Sequence, residues 1–186
     1  MKLIIASNNR HKIREIREIL GGHFRELLSM GEAGLALNVA EDGATFEENA
    51  LKKAREVLRA SGADAALSDD SGLMVDALGG APGVLSARYA GQHGDDAANN
   101  RLLVSQLKEI PAQPHTAQFV SALALASPFG ATRIFEGVCP GVIVEEPRGT
   151  GPCASHRPAV DYSTTGHAPD GSYPQPTLRI RTQDAT

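Results

Sequence analysis

The sequence contains no tryptophan, only two cysteines, and few aromatic residues, which make up 4% of its 186 positions. Cys139 and Cys153 are too few for a disulfide framework and lack the spacing of metal-binding motifs. No apolar stretch approaches the roughly 20 residues needed to span a bilayer, and the run at residues 3–6 is too short for a signal peptide. The net charge of −4 lacks the basic excess of a nucleic-acid-binding surface. These features predict a soluble cytoplasmic protein with neither nucleic acid nor a membrane as its partner.

Signatures of several enzyme classes are also missing. The sequence has no Walker A motif, no GxSxG or HExxH motif and no dinucleotide-binding glycine motif. Its histidines are scattered, with no pair at metal-ligand spacing, and are interpreted as surface residues: His11, His23, His93, His115, His156 and His167. The composition, 41% hydrophobic and 22% charged, is typical of a globular protein of one domain, with or without a tail.

The pattern of apolar residues predicts alternating strands and helices, and therefore an α/β fold. A strand at residues 3–6 leads through a polar loop into a helix that ends at Gly21. A capping box at Thr45 and Glu48 begins a second helix, which Gly62 ends. Asp95 is expected to cap a third helix. Strands are predicted at residues 65–68, 119–125, 132–136 and 142–144, and a loop at residues 78–83.

The polar loop Ser7–Lys12 lies where the first strand hands over to the first helix. Free backbone N–H groups, the positive end of the helix dipole and the Lys12 side chain are together suited to binding phosphate oxygens. The same residues also fit an ordinary polar loop in which Asn9 caps the helix. Both interpretations stay open at the level of this motif.

Two acidic segments are candidates for metal binding. Glu41 and Asp42 precede the second helix, and Asp69 and Asp70 follow a predicted strand. One carboxylate from each segment is enough to hold Mg²⁺ with several waters retained, and one of them can activate a water. The alternative is that residues 69–72 form only a turn, which Asp, Ser and Gly favour.

The second helix carries two adjacent lysines, Lys52 and Lys53. A solvated helix face explains at least one of them, with i,i+4 partners such as Glu48 and Glu56.

Several motifs in unbroken order over residues 1–151 resemble the inosine triphosphatase family, the XTP/dITP diphosphatases that remove non-canonical purine nucleotides. Ser7–Lys12 matches the family's (S/T)-x-N-x-x-K loop. The other matching segments are Glu41–Gly43, Thr45–Ala50, Ser68–Leu73, Leu78–Val84, Ser86–Tyr89 and Pro147–Gly151.

The resemblance implies a role for each matching residue. Asp70 would be the general base, and Glu41 and Asp70 would hold Mg²⁺. Lys53 would assist in binding the triphosphate, and Ser71 would contact the nucleotide. The triphosphate loop would comprise Ser7, Asn8, Asn9, Arg10, His11 and Lys12, with Ser7, Asn9 and Lys12 as the main contacts.

The resemblance also implies a fold, a substrate and an assembly. The fold would be an elongated mixed sheet with flanking helices, in two lobes around a nucleotide cleft. The substrate would be a purine nucleoside triphosphate (ITP, dITP or XTP), hydrolysed to the monophosphate and pyrophosphate. The protein would be a homodimer.

The chain departs from the family after Gly151, which divides it into a pyrophosphatase domain at 1–151, incomplete at its C-terminal end, and a tail at 152–186. The family continues with Gly-Phe-Gly-Tyr-Asp-Pro, a base-reading segment, whereas this chain reads Pro-Cys-Ala-Ser-His-Arg-Pro at 152–158. The tail is rich in Pro, Gly, Ser and Thr and is predicted to be disordered. Two hypotheses follow: a working diphosphatase, or a frameshifted, catalytically impaired remnant that binds phosphates or pairs with an intact homologue.

Overall fold

The computed structural model describes residues 1–110, 114–128, 130–144, 160–161 and 177–183. These residues divide between two compact units. One is drawn from Met1–Asp70, Ser121–Glu136 and Arg179–Thr186, and the other from Ser71–Val120 and Gly137–Leu178. With the exception of Ser71, the predicted site residues all belong to the first unit.

The first unit begins with a β-α-β-α-β succession. Strand β1 (Lys2–Ala6) pairs in parallel with β2 (Glu26–Ser29) and with β3 (Ala65–Val75), and lies between them. Helix α1 (Arg10–Leu20) connects β1 to β2, and helix α2 (Phe46–Ser61) precedes β3. The two helices predicted for this region are confirmed.

Helices α1 and α2 pack against opposite faces of these strands, because successive side chains of a strand point to opposite faces. The α1 cluster comprises Leu3, Ile5, Ala65 and Leu67 with Ile13, Ile16 and Leu20. The α2 cluster comprises Ile4, Ala6 and Ala66 with Val57 and Leu58. Odd-numbered residues of the first half of β3 therefore face α1, and even-numbered ones face α2.

The ends of α2 are set by its flanking residues. The Thr45 hydroxyl accepts a hydrogen bond from the Glu48 N–H at 3.1 Å, as the capping box predicts. The Glu48 carboxylate accepts instead from the N–H of Ala44 at 2.8 Å, one residue earlier than predicted. Gly62 ends the helix in the left-handed region, at φ 59°.

The second unit contains helix α3 (Asp96–Lys108), capped by Asp95 as predicted. Two short 3₁₀ helices, Asp76–Leu78 and Gly83–Arg88, flank the segment predicted as a loop. Its core is formed by apolar residues of β3, α3 and two further strands: Leu73, Val75, Leu103, Leu107, Ala117 and Ile143.

In the described part of the chain, seven strands form one mixed sheet. The remaining four are β4 (Thr116–Ala126), β5 (Thr132–Ile143), β6 (Val160–Asp161) and β7 (Thr177–Gln183). The order is β2-β1-β3-β4-β5-β6, and β7 also pairs with β5. Because β1 is parallel to its neighbours and β6 is antiparallel to β5, the predicted mixed sheet with flanking helices is confirmed.

Two expectations about strands are corrected, and one strand was not predicted. Residues 69–72 are not a turn, because β3 runs without interruption from Ala65 to Val75. The predicted strands at 132–136 and 142–144 form one strand, β5. Strand β2 was not predicted, since its four residues are all only half-buried and show no apolar alternation.

One histidine is not a surface residue. His115, which immediately precedes β4, is 5% exposed, and its carbonyl accepts a hydrogen bond from the N–H of Ile143 at 2.9 Å. Three others, His11, His23 and His93, are exposed as predicted, and the remaining two lie outside the described residues.

For the tail at 152–186, the structure describes only β6 and β7, both paired with β5. The other residues of that segment lie outside the described ranges, and its predicted disorder stays a prediction. Among the described residues, no helix is both long enough and apolar enough to cross a membrane.

Candidate active site

The site is centred on two neighbouring aspartates in the middle of β3. Asp69 is 7% exposed and Asp70 is 9% exposed. Alternation along the strand directs Asp69 towards α1 and Asp70 towards α2. Buried carboxylates need partners, because removing an unpaired charge from water is very unfavourable. Each aspartate has a different partner.

Asp69 forms an ion pair with Lys12 in the first turn of α1. The Lys12 Nζ lies 2.7 Å from Asp69 Oδ2, and the two side chains are 30% and 9% exposed. The other carboxylate oxygen, Oδ1, is buried without a hydrogen-bond partner among the described residues. This pair joins the predicted phosphate loop to the strand that carries Asp70.

Asp70 accepts a hydrogen bond at Oδ2 from the amide Nδ2 of Asn49, at 3.0 Å. Burial raises the pKa of the Asp70 carboxyl above its usual value, and the negative charge of Glu41 raises it further. The charges of Lys53 and Lys12 and the Asn49 hydrogen bond act in the opposite direction. Asp70 therefore lies within electrostatic range of Glu41, Lys53 and Lys12.

Lys53 links the two acidic segments. Its Nζ donates to Glu41 Oε1 at 2.9 Å and to the backbone carbonyl of Asp69 at 2.6 Å. The Lys53 side chain is only 13% exposed. The structure thus brings the predicted metal ligand Glu41 to β3 by way of Lys53.

Lys52 belongs to the solvated face of α2. Its ion pair is with Asp42, at 2.7 Å, and of the two partners proposed from helical spacing Glu56 also raises the Lys52 pKa through its charge. Its hydrogen bond lowers the pKa of the Asp42 carboxyl and raises that of the Lys52 ammonium. Both groups are well exposed, so this pair carries little of the site's chemistry.

The loop Ser7–Lys12 is built around the capping of α1. Asn9 Oδ1 accepts hydrogen bonds from the N–H groups of His11 at 2.9 Å and Lys12 at 3.3 Å, and the Asn9 N–H donates to Ser7 Oγ at 3.1 Å. The capping role of Asn9 is confirmed. The expectation that these N–H groups are free for phosphate is wrong, because the Asn9 side chain already occupies two of them. Asn8 is exposed in the same loop.

Two further predicted residues lie at the margin. Ser71 follows Asp70 in β3, is half-buried, and begins the second compact unit. Arg10 borders an open hollow of about 450 Å³ that contains neither Glu41 nor the β3 aspartates. Five of the six residues that line that hollow belong to α1: Arg10, Ile13, Arg14, Arg17, Glu18 and, from β2, Ser29.

The donor set fits a hard divalent cation that keeps part of its hydration shell. Among the described residues, no three Asp, Glu, His or Cys side chains are grouped closely enough to enclose a metal. The negative charge of Glu41 contributes to the raised pKa of Asp70, and a bound cation would offset that repulsion. Mg²⁺ is commonly held by one or two carboxylates together with waters and substrate phosphates.

Sequence reasoning missed Asn49 as a site residue. Its signal was present in the helical pattern: Phe46, Ala50 and Val57 form the buried stripe of α2, and Asn49 lies on that same stripe. A polar side chain at such a position requires a buried partner. That partner, Asp70, is identified only by the fold.

Comparisons with known proteins identify the family. Residues 3–153 match the Ham1 family. A dITP/XTP pyrophosphatase of Mycobacterium bovis is 50% identical over 153 residues, which cover 81% of this chain and 74% of the relative. A dITP/XTP pyrophosphatase of Geobacter sulfurreducens is 49% identical over 150 residues, covering 81% and 75%.

Solved structures give the same result at the level of the fold. The nucleoside-triphosphatase / dITP/XTP pyrophosphatase of Mycobacterium abscessus matches with a TM-score of 0.71 at 47% identity, over 81% of this chain and 78% of that one. A HAM1 protein of Coxiella burnetii matches with a TM-score of 0.74 at 33% identity, over 86% and 85%.

Proposed function

Because the chain belongs to the Ham1 family, we propose that it is a Mg²⁺-dependent hydrolase that converts ITP, dITP and XTP to the monophosphate and pyrophosphate and so cleanses the nucleotide pool. The observation that carries the proposal is the Lys12–Asp69 ion pair, at 2.7 Å. It joins a loop at a helix N-terminus to a strand whose next residue, Asp70, is a buried carboxylate. The choice of substrate is supported by the relatives of the chain that are named dITP/XTP pyrophosphatases.

The phosphate groups are bound by the first turn of α1. Lys12 supplies a positive charge, and the dipole of the 11-residue helix adds partial positive charge at the same end. In the free protein Lys12 is neutralised by Asp69, so the pair keeps the ammonium oriented before substrate arrives. Ser7, Asn8, Asn9, Arg10 and His11 complete the loop, and Lys53 and Ser71 contribute from α2 and β3.

Glu41 and Asp70 would hold Mg²⁺, which neutralises phosphate charge and lowers the pKa of water at such sites. Asp70 accepts the proton of the attacking water. In the metal-free protein, burial raises the pKa of the Asp70 carboxyl, which is the direction that favours a proton acceptor. The added hydroxyl ends on the monophosphate or the pyrophosphate as the bond between the α- and β-phosphates breaks.

The test is turnover by the purified chain with ITP, dITP, XTP, ATP and GTP, with product identification. The proposal predicts pyrophosphate and the monophosphate in equal amounts from the first three, little from ATP and GTP, and no turnover after EDTA treatment until Mg²⁺ is restored. Release of inorganic phosphate in place of pyrophosphate would show a different reaction.

A second candidate is the catalytically impaired remnant that binds phosphates or pairs with an intact homologue. It rests on the sequence after Gly151, where the family match ends within two residues. The coding DNA tests it: a shifted frame near codon 152 that spells Gly-Phe-Gly-Tyr-Asp-Pro supports the remnant. If no frame spells that segment, the remnant hypothesis loses its basis.

A cytoplasmic homodimer is part of the proposal, because the family resemblance implies the dimer and the free nucleotide pool is its substrate. Sedimentation equilibrium measures the mass of the assembly directly. A mass of about twice 19.6 kDa supports the dimer, and a mass of 19.6 kDa contradicts it.

A further inference from the structure

Asn49 is a deeply buried polar side chain that contacts the site. It lies on the apolar stripe of α2 and is 1% exposed. Burying an amide that lacks hydrogen-bond partners destabilises the folded state. An alanine or leucine would fill this helix position without that cost, so the amide must be retained for its contacts.

Both ends of the Asn49 amide are used, and they join two separate segments. Oδ1 accepts from the Gly43 N–H at 2.8 Å, and Nδ2 donates to Asp70 Oδ2 at 3.0 Å. A backbone N–H only donates and a carboxylate only accepts, so the amide fits in one orientation alone. The Gly43 contact therefore fixes the direction of the bond to Asp70.

Gly43 is required for this close approach. A Cβ atom at position 43 would lie 2.7 Å from Asn49 Oδ1 and 2.9 Å from the Cβ of Glu48. Any larger residue must displace either the amide or the segment before α2. The segment and the amide are thus fitted to each other.

The same segment carries Glu41, two residues before Gly43. Lys53 holds the Glu41 carboxylate from one side, and the Asn49 amide holds the backbone of Gly43 from the other. A single turn of α2 therefore fixes the separation of Glu41 from Asp70. We infer that Asn49 is the positioning residue that sets the divalent-cation affinity of the Glu41–Asp70 pair, an inference that rests on the proposed function.

The experiment measures Mn²⁺ binding to the nucleotide-free protein by electron paramagnetic resonance, with urea unfolding as a check of folding. Removal of an outer-shell partner typically weakens metal affinity about 10- to 100-fold. Asn49→Ala and Gly43→Ala should each weaken Mn²⁺ binding by about that factor. The double variant should bind at least as weakly as Asn49→Ala, because removing the amide relieves the clash with Asn49 Oδ1 but not the one with the Cβ of Glu48.

Asn99 supplies the matched control. It is a buried helical asparagine in the second unit, 6% exposed, and its Oδ1 accepts from the Ala90 N–H at 2.7 Å. Asn99→Ala should lower the free energy of unfolding but leave Mn²⁺ affinity unchanged. A purely structural role for Asn49 would give the same result in Asn49→Ala, and that outcome would overturn the inference.

The remaining outcomes are also decisive. If Asn49→Ala does not fold, Gly43→Ala decides alone: unchanged Mn²⁺ affinity in that variant rejects the inference. If the wild-type chain binds Mn²⁺ and the variants bind equally well, only the positioning role fails. If the folded wild-type chain binds no Mn²⁺, the proposed metal site fails and the inference fails with it.

Discussion

Adjacent aspartates in one strand have different chemistry here because their side chains point to opposite faces. Asp69 faces α1 and is neutralised by Lys12, whereas Asp70 faces α2 and receives a neutral amide donor. Burial raises the pKa of Asp70. Asp70 is therefore the proposed proton acceptor, and Asp69 is the residue that orients Lys12.

The raised pKa of Asp70 makes the stability of the metal-free protein depend on pH. Between the ordinary aspartate pKa and the raised one, the folded state binds more protons than the unfolded state. The free energy of unfolding should therefore rise as the pH falls through the folded-state pKa, and this gain should level off below the unfolded-state value. Urea unfolding across this range, compared with Asp70→Asn, isolates the contribution of Asp70.

Asp70→Asn is neutral at every pH and keeps an oxygen that accepts from Asn49. At neutral pH the ionised Asp70 should make wild type less stable than the variant. This difference in unfolding free energy should shrink towards acid pH, and saturating Mg²⁺ should offset it at neutral pH. A difference that is constant with pH would mean that Asp70 has an ordinary pKa.

At the scale of elements, the N-terminus of α1 has both a structural and a proposed binding role. Asn9→Asp separates the two roles, because aspartate caps helices as well as asparagine does but adds a negative charge. We expect unfolding stability to be kept or raised and the KM for ITP to rise about tenfold, equivalent to about 1.4 kcal/mol. Steady-state kinetics and urea unfolding measure the two effects. An unchanged KM would show that the loop only caps the helix and does not bind the triphosphate.

Helix α2 carries both Asn49 and Lys53, so its first turn supports the site. Thr45→Ala removes the acceptor for the Glu48 N–H and should lower the unfolding free energy by about 1 kcal/mol. Thr45→Ser keeps the hydroxyl and is the control. Urea unfolding that gives equal stabilities for the two variants would show that the cap contributes nothing.

For the whole molecule, local signals predicted the helices and the candidate carboxylates. The caps at Asn9, Thr45 and Asp95 act within a few residues, so they can be recognised in the sequence. The Lys12–Asp69 pair joins residues 57 positions apart, and only the fold brings them together. Residues 69–72 resembled a turn because Asp, Ser and Gly favour turns.

The partners of the buried aspartates explain why residues 69–72 form part of a strand and not a turn. In β3, Lys12 pairs with Asp69 and Asn49 donates to Asp70, and Leu73 and Val75 continue into the core, so polar residues are accommodated in a central strand. A local sequence pattern does not indicate such distant partners. Burial of a polar side chain is decided by tertiary contacts that a single sequence does not display.

Turnover of ITP at saturating Mg²⁺ by wild type, Asp70→Asn and Asp69→Asn tests the central claim most directly. The wild-type chain should release pyrophosphate. Asp70→Asn should lower kcat by about 10²–10⁴-fold, the usual effect of losing a general base. Asp69→Asn should mainly raise KM, because it releases Lys12. A folded wild-type chain that forms no pyrophosphate, or an Asp70→Asn variant with near-full turnover beside an inactive Asp69→Asn variant, would contradict the account.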